Sequence, residues 1–217
     1  RAQIIAKAPG VVAGVGVAQQ VFREMDRRIR CTLKRRDGQR VRRGDVILAL
    51  EGPARTILAA ERTALNFLGH LSGIATLTRA FVECVKPSRT AILDTRKTLP
   101  GLRALEKYAV RVGGGQSHRF DLTDAVLIKT NHLRTLIAGE RSEVRGKRII
   151  EQGITAAKQL KPRRVVEIEV ANLRDFRAAL HSNPDVILLD NWPVPTIRKA
   201  VAIRSLTPHT SHPAPLL

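Results

Sequence analysis

Positively charged side chains follow two short apolar runs that we predict to be buried strands. Arg96 and Lys97 lie just beyond the apolar residues 91–93, and Lys129 directly follows the apolar residues 125–128. In parallel α/β sheets and barrels the carboxyl ends of the strands face the ligand, so side chains there meet substrate. The pattern indicates a site for an anion.

A turn between these two runs adds further cations. The glycines at residues 113–115 are followed by His118 and Arg119. A single histidine is most often not catalytic, and an arginine–lysine pair after a strand is usually surface charge. The functional interpretation therefore depends on the combination of cations near successive strand ends.

Two acidic side chains lie at the ends of two later predicted strands. Residues 165–170 alternate with the period of a strand and place Glu167 and Glu169 on one face. The almost wholly apolar residues 185–189 end at Asp190. An exposed acid on a strand face and an aspartate that only ends a strand are the ordinary alternatives, which the residues alone leave open.

The elements that must position these side chains alternate after residue 90. Short apolar strands near residues 91, 125, 165 and 186 are separated by helical segments, including residues 146–160 and 173–180. This order predicts a parallel α/β sheet or barrel. Since a βα unit takes about 30 residues, the chain from residue 56 onward has room for roughly five, too few for a closed barrel.

The residues before this region predict a small domain of short strands and turns. Residues 3–6 and 11–17 are apolar, and two further apolar runs flank Asp37-Gly38, which predicts a hairpin. Gly10, Gly14 and Gly16 do not keep the spacing of a dinucleotide-binding loop and are interpreted as turn residues. Residues 56–85 predict two helices, with a break at Gly69 and Gly73.

The charge of the chain suggests an anionic partner. Lys and Arg total 38 against 19 Asp and Glu, a formal net charge of +19. Nucleic acid is the first candidate at such a charge. However, the cations are spread along the chain, and aromatic residues, at 3%, are too few to stack on exposed bases. We therefore expect small anionic ligands, no specific nucleic-acid partner and non-specific adhesion to nucleic acid.

The cysteines and the length of the apolar runs indicate the cellular compartment. Cys31 and Cys84 are the only cysteines and lack the spacing of a metal or redox site, which fits a reducing environment. No signal peptide is visible, and no apolar run approaches the ~20 residues that span a bilayer. We expect a cytoplasmic protein without membrane contact.

Several longer motifs occur in one order along most of residues 1–203. They are residues 61–66, 71–76, 94–98, 100–102, 106–110, 113–119, 124–129 and 189–191. Together they resemble quinolinate phosphoribosyltransferase, the carboxylating nicotinate-nucleotide pyrophosphorylase family. Several long motifs in one order are a strong signal, whereas any one tripeptide is weak.

The resemblance implies a reaction in NAD biosynthesis. Quinolinate and phosphoribosyl pyrophosphate would give nicotinate mononucleotide, pyrophosphate and CO₂. Arginine suits the two adjacent carboxylates of quinolinate, because its planar fork binds a carboxylate through two hydrogen bonds. By resemblance the quinolinate-binding residues are Arg96, His118, Arg119, Lys129 and, from a neighbouring subunit, Arg62.

Glu169 and Asp190 match the acidic pair of the family. The resemblance implies that they stabilise the cationic ribose of the transition state and hold Mg²⁺ on the pyrophosphate. Lys97 is expected to face the phosphates or the region that both substrates share. These three residues form the predicted catalytic set, and Mg²⁺ is the predicted cofactor.

The resemblance also implies the domain organisation. The expected fold class is α/β, a partial parallel α/β barrel preceded by a small mixed α/β domain. Residues 1–55 would be the remainder of an N-terminal sandwich domain, residues 56–203 a catalytic barrel without its closing strands, and residues 204–217 a disordered tail rich in Pro, Ser, Thr and His. Arg62, acting across subunits, implies a homodimer or a higher oligomer.

Two alternatives remain at this stage. Family members begin before the position of Arg1 and continue with phosphate-holding loops that this sequence does not show, so the chain is alternatively a truncated member. Such a member would keep a quinolinate-type anion site but be weakly active or inactive. A molybdenum-associated branch of the same fold is the other alternative, and residues 108–110 and 128–132 favour the quinolinate enzymes.

Overall fold

The computed structural model describes residues 1–137 and 143–206, which fall into two compact units. Unit 1 comprises Arg1–Phe120 and unit 2 comprises Asp121–Leu217. Unit 1 contains antiparallel strands and long helices, and unit 2 contains a parallel sheet with helices. The predicted α/β class, with a small mixed domain before a parallel α/β region, is confirmed.

Unit 1 begins with two small antiparallel sheets. The three-stranded sheet has the order β1-β5-β3, and the two-stranded sheet pairs β2 with β4. The strands are β1 (Ala2–Ile5), β2 (Gly10–Val11), β3 (Arg30–Leu33), β4 (Arg40–Val41) and β5 (Val46–Glu51). The apolar runs on either side of Asp37-Gly38 pair as expected, since Leu33 is in register with Leu48.

The prediction of a strand over residues 11–17 is wrong beyond Val11, because β2 ends at that residue and helix α1 (Val15–Met25) begins four residues later. Gly14 has a φ of +90° at the start of this helix, which favours glycine. The backbone N–H groups of Gly14 and Val15 donate to the carboxylate of Asp37 at 3.0 and 3.1 Å. A side chain, rather than a phosphate, therefore satisfies the first donors of this helix.

A single long helix, α2 (Ala54–Cys84), replaces the two helices predicted over residues 56–85. Gly69 and Gly73 lie on its exposed side and do not break it. A glycine inside a helix costs about 1 kcal/mol relative to alanine. Burial of neighbouring apolar residues such as Leu68 and Leu71 outweighs that amount.

The predicted strand near residue 91 is reduced to one parallel bridge, between Leu93 and Gln116. Helix α3 (Arg103–Val112) lies between these two residues in the chain. Gly113 and Gly115 allow the following turn to pass close to its neighbours: a Cβ on Gly113 would lie 2.6 Å from the carbonyl oxygen of Ala75. The turn therefore needs glycine for close approach.

Unit 2 contains a parallel sheet of order β6-β7-β8. Its strands are β6 (Ala125–Ile128), β7 (Val165–Val170) and β8 (Val186–Leu189), and its helices are α4 (Thr130–Ile137), α5 (Glu143–Gln159), α6 (Leu173–Ser182) and α7 (Val194–Leu206). The three strands predicted near residues 125, 165 and 186 are thus confirmed. Their buried side chains pack on the helices in an aliphatic core around Phe176.

Two of the predicted domain limits fall within helices of the structure. The limit after residue 55 lies inside α2, and the predicted tail from residue 204 overlaps the end of α7 at Leu206. Residues 207–217, with the rest of that tail, lie outside the described residues. Among the described residues, no helix combines the length and hydropathy needed to cross a bilayer.

Candidate active site

In unit 1, a buried ion pair joins the two loops that carry the predicted cations. Asp94 is 8% exposed and Lys107 is 2% exposed, and the Lys107 ammonium donates to Asp94 Oδ1. The same oxygen accepts the backbone N–H of His118 at 2.9 Å. Charges are buried only when they are paired and hydrogen-bonded. This pair therefore fixes the loop after Leu93 against the loop after Gln116.

The bridge between Leu93 and Gln116 gives the two loops a common register. Arg96 and Arg119 each lie three residues beyond a bridge partner, since 96 − 93 and 119 − 116 are both three. Both side chains are half-buried, and the adjacent Lys97 is exposed. The structure thus brings together the segments that carry Arg96, Lys97, His118 and Arg119.

Three cations of these loops have no carboxylate partner among the described residues. In the described part of the chain, the side chains of Arg96, Lys97 and Arg119 form no ion pair with a carboxylate. The Nε atom of Arg96 is buried and has no hydrogen-bond partner among the described residues. An unpaired, partly buried guanidinium is well suited to bind an anionic ligand.

Arg62 lies on the exposed surface of α2. It too has no ion-pair partner in the portion of the chain that the structure describes. A residue must be exposed in order to reach a second subunit, but most arginines are exposed whatever their role. Its predicted role across subunits remains a prediction.

In unit 2, the three remaining predicted residues lie at the carboxyl ends of adjacent parallel strands. Lys129 directly follows β6, Glu169 lies near the end of β7, and Asp190 directly follows β8. Val170 is in register with Leu189, so β7 and β8 end at the same level, and Ile128 is in register with Ile168, so β6 ends two residues earlier. The sheet therefore places one cation and two carboxylates along a single edge.

Local contacts hold Glu169 and the segment after β8. Glu169 Oε1 accepts the backbone N–H of Thr130 at 3.2 Å and the Thr130 hydroxyl group, at the start of α4. Asn191 has a φ of +57°, and Trp192 donates its Nε1–H to the carbonyl oxygen of Val170 at 3.0 Å. Asp190 itself is exposed. One acid is therefore held by a helix start, and the other faces solvent beside an anchored tryptophan.

The carboxylates of Glu169 and Asp190 suit a hard cation such as Mg²⁺. Magnesium usually takes one or two protein carboxylates and completes its shell with water and substrate phosphates. Among the described residues, no group of three or more His, Cys, Asp or Glu side chains could hold a metal ion. The donor set thus fits a metal that arrives with a phosphate substrate, rather than one held by the protein alone.

Three further residues were not predicted as parts of the site. Asp94 and Lys107 lie within the motifs, but the sequence gives no sign that the two charges are buried against each other. The sequence gives no sign of a role for Thr130 either. The available signal for Lys107 was its position on the amphipathic helix α3. Lysines on such helices are far more often exposed than buried, so the signal is weak.

Family models match nearly the whole chain. The family model described as "Quinolinate phosphoribosyl transferase, N-terminal domain" matches residues 1–72, and the model for the C-terminal domain of the same family matches residues 74–211. The chain belongs to the quinolinate phosphoribosyltransferase family.

Two curated relatives in the quinolinate phosphoribosyltransferase family show how similar the chain is to other members. The chain is 40% identical to a probable nicotinate-nucleotide pyrophosphorylase [carboxylating] of Bacillus subtilis over 91% of its own length and 65% of the relative. It is 42% identical to the Mycobacterium leprae nicotinate-nucleotide pyrophosphorylase [carboxylating], over 94% of its length and 68% of the relative. The chain therefore spans about two thirds of the length of these relatives.

A solved structure gives the same result. The nicotinate-nucleotide pyrophosphorylase of Ehrlichia chaffeensis matches with a TM-score of 0.83 at 36% identity, covering 94% of this chain and 70% of that one. Identity at this level, combined with the fold, shows that the two chains share the family's architecture. The quinolinate phosphoribosyltransferase motifs fall in both units.

Proposed function

We propose that this chain catalyses the phosphoribosyl transfer of its family, from phosphoribosyl pyrophosphate to quinolinate, and forms nicotinate mononucleotide, pyrophosphate and CO₂. The observation that carries the proposal is that Arg96 and Arg119 have no carboxylate partner within residues 1–137 and 143–206, on loops that a buried ion pair and a β-bridge hold together. Quinolinate, with two adjacent carboxylates, is a ligand that two such guanidinium groups can bind through paired hydrogen bonds.

We assign the cations to quinolinate and the acids to the sugar. Arg96, His118, Arg119 and Lys129 bind the carboxylates, and Lys97 neutralises phosphate charge. As the pyridine nitrogen forms its bond to the anomeric carbon, the bond from that carbon to pyrophosphate breaks and the leaving group takes the electron pair. The ribose is cationic at this stage, so the carboxylates of Glu169 and Asp190 stabilise it.

Decarboxylation completes the proposed reaction. The bond between the ring and the carboxylate at its 2-position breaks, CO₂ leaves, and the electron pair stays on the ring carbon. The positive charge of the quaternised pyridinium stabilises that pair, which then takes a proton from solvent. No external oxidant or reductant is needed.

We assign Mg²⁺ as the cofactor, held by Glu169 and Asp190 together with the pyrophosphate group. Bound there, the ion would neutralise negative charge on the pyrophosphate as it leaves. The hard oxygen donors of the two strand-end carboxylates support this assignment. A metal that depends on the substrate for part of its shell is expected to bind weakly to the protein alone.

The assay that tests this function supplies the purified chain with quinolinate, phosphoribosyl pyrophosphate and Mg²⁺, and quantifies nicotinate mononucleotide against a control without enzyme. Product that depends on both substrates is the expected result. Quinolinate binding by a folded chain that forms no product would favour the alternative, a family member that keeps the anion site without turnover. If the folded chain neither formed product nor bound quinolinate, the proposal would be rejected.

We also propose that the chain acts as a homodimer or higher oligomer in the cytoplasm. The exposure of Arg62 supports a role outside its own subunit, and the free thiols Cys31 and Cys84 are consistent with a reducing compartment. Mixing Arg62→Ala chains with Lys129→Ala chains tests the shared site, because hybrid oligomers would regain some intact sites. Absence of recovered activity in hybrids that demonstrably form would place Arg62 outside the site of its neighbour.

A further inference from the structure

The Asp94–Lys107 pair has no counterpart among the predicted site residues, yet it is the most deeply buried ion pair of the described chain. The side chains are 4% and 2% exposed, respectively. Buried pairs are weak stabilisers, because the loss of hydration offsets much of the attraction between the charges. Apolar residues of similar volume often serve a core equally well, so stability is a poor explanation for two buried charges.

The hydrogen bonds of Lys107 suggest a more specific role. Its ammonium group donates to Asp94 Oδ1 and lies 3.4 Å from the carbonyl oxygen of His118 and 3.2 Å from that of Arg119. These three acceptors use all three donors of a lysine ammonium group. Lys107 therefore has no donor left for a ligand, and its partners are the backbone groups of two residues assigned to quinolinate.

Asp94 completes the same network from the other loop. Its Oδ1 accepts the backbone N–H of His118, and its own N–H donates to the carbonyl oxygen of Gln116 at 3.1 Å. The N–H of Gln116 in turn donates to the carbonyl oxygen of Ile92 at 2.8 Å. The backbone of the His118 loop is thus tied to the Asp94 loop at several successive points.

Helix α3 anchors the Asp94 loop at a second place. Glu106, the residue before Lys107, accepts the backbone N–H of Leu99 at 3.4 Å and lies 3.0 Å from Nε2 of His70 on α2. Two consecutive side chains of α3 therefore hold the two ends of the loop that carries Arg96 and Lys97. The loop geometry depends on α3 rather than on a sheet.

We propose that Lys107 and Asp94 are positioning residues for the dicarboxylate: they hold the His118–Arg119 backbone in register with Arg96, so that the two arginines are spaced for adjacent carboxylates. This inference rests on the proposed function and extends it to residues that do not themselves touch substrate. Hydrogen bonds to two carboxylates require both donors in place at once, so a small shift of one loop weakens binding of the whole ligand.

Lys107→Met tests the proposal, because methionine keeps the length of the side chain and removes its three donors. We expect the quinolinate dissociation constant, measured by calorimetry, to rise about tenfold or more, since a misplacement of about 1 Å can have effects of that size. The KM for phosphoribosyl pyrophosphate is expected to rise less than this, because the loop of Lys97 is also held at Leu99 by Glu106. Lys158→Met is the matched control: the Lys158 ammonium also donates to two backbone carbonyls, those of Ser182 and Asn183, in unit 2.

A second variant separates positioning from folding. Lys107→Met alone leaves the buried carboxylate of Asp94 without its cation. Combining it with Asp94→Asn removes the buried charge as well, and the asparagine side chain still offers an oxygen that can accept the N–H of His118. We expect the double variant to fold, with the native circular dichroism spectrum, and still to bind quinolinate about tenfold or more weakly. Failure of the double variant to fold would assign the pair to folding and overturn the inference.

The remaining outcomes are distinguishable. If the unaltered chain binds quinolinate and the folded Lys107→Met variant binds it equally well, the positioning role is wrong and the proposed function stands. If both substrates lose affinity alike, the pair acts on the whole unit rather than on quinolinate, which also overturns the inference. No quinolinate binding by the unaltered chain would reject the proposed function together with this inference.

Discussion

The two units hold their candidate site residues by different means. In unit 1 the cations lie on loops, and the buried pair of Asp94 and Lys107 fixes those loops against each other. In unit 2, Lys129 and Asp190 directly follow parallel strands, so the hydrogen-bond register of the sheet places them. A residue at a strand end depends on many backbone contacts, whereas a residue on a loop depends on a few particular side chains.

This difference predicts how each unit responds to substitution. A strand-end side chain can change its chemistry while the sheet that positions it stays intact. The conformation of a loop depends on the side chains that hold it. Substitution of such a polar residue is therefore expected to weaken ligand binding as much as substitution of the residue that contacts the ligand. Three substitutions test the contrast, beginning with the largest expected effect.

Glu169→Gln tests the strand-end arrangement of unit 2. Glutamine keeps an acceptor for Thr130 but lacks the negative charge that we assign to the cationic ribose. We expect kcat to fall about 100-fold, equivalent to about 2.7 kcal/mol, the range seen when one electrostatic contact to a transition state is removed. The free energy of unfolding should change by no more than about 0.5 kcal/mol.

The control for this variant is Glu151→Gln on α5, where Glu151 lies 3.8 Å from Lys147 on the protein surface. Its kcat should be unchanged, because surface ion pairs contribute little. A large loss of stability in Glu169→Gln would break the comparison, since it would show that the strand-end acid also holds the fold.

Arg119→Ala tests the loop arrangement of unit 1. We expect the quinolinate dissociation constant to rise about 30-fold, or about 2 kcal/mol, because a charged hydrogen-bonding partner is removed. Calorimetry with purified protein measures it. Arg43→Ala, at an exposed turn of the same unit, is the matched control and should bind as the unaltered chain does. Equal affinities for the two variants would remove Arg119 from the site.

Tyr108→Phe tests whether polar anchors also stabilise the rest of unit 1. The Tyr108 hydroxyl donates to Asp37 at 2.6 Å, and Asp37 also accepts the first N–H groups of α1. We expect the variant to be less stable by about 1 kcal/mol at neutral pH, the usual contribution of one hydrogen bond. Urea denaturation measures the difference.

The same hydrogen bond has a pH dependence of defined sign. Burial, with the hydrogen bond to Asp37, raises the pKa of Tyr108 to about 12 from 10.0. The unfolded chain therefore loses this proton first as the pH rises, so the stability contribution is complete below about pH 10 and is lost towards about pH 12. The gap between the unaltered chain and Tyr108→Phe should shrink over that window; a constant gap would contradict the assigned cause.

Unit 2 was the more predictable of the two. Apolar runs at β6 and β8 and the period of two along β7 predict the strands that the structure shows. The same strand ends carry Lys129, Glu169 and Asp190, whose roles stay predictions. Parallel strands buried on both faces leave a local signature in the sequence. The family motifs assigned roles to these three residues, which their positions alone did not.

Unit 1 was less predictable, because distant contacts decide its local structure. Helix α1 begins at an apolar, glycine-containing stretch because Asp37, more than twenty residues away, accepts its first N–H groups. The continuity of α2 through Gly69 and Gly73 depends on packing along its buried face. The Asp94–Lys107 pair joins residues 13 positions apart, and neither residue type predicts burial.

The anchored tryptophan beyond β8 provides an optical reporter. Trp192 is the only tryptophan of the chain, is 9% exposed, and follows the catalytic candidate Asp190 by two residues. All indole fluorescence therefore originates in unit 2, beside the proposed acidic pair, and its emission should shift to longer wavelength when that unit unfolds. Tyr108, the only tyrosine, lies in unit 1. Fluorescence of the indole and ultraviolet absorbance of the phenol can thus follow the melting of each unit separately, without any added label.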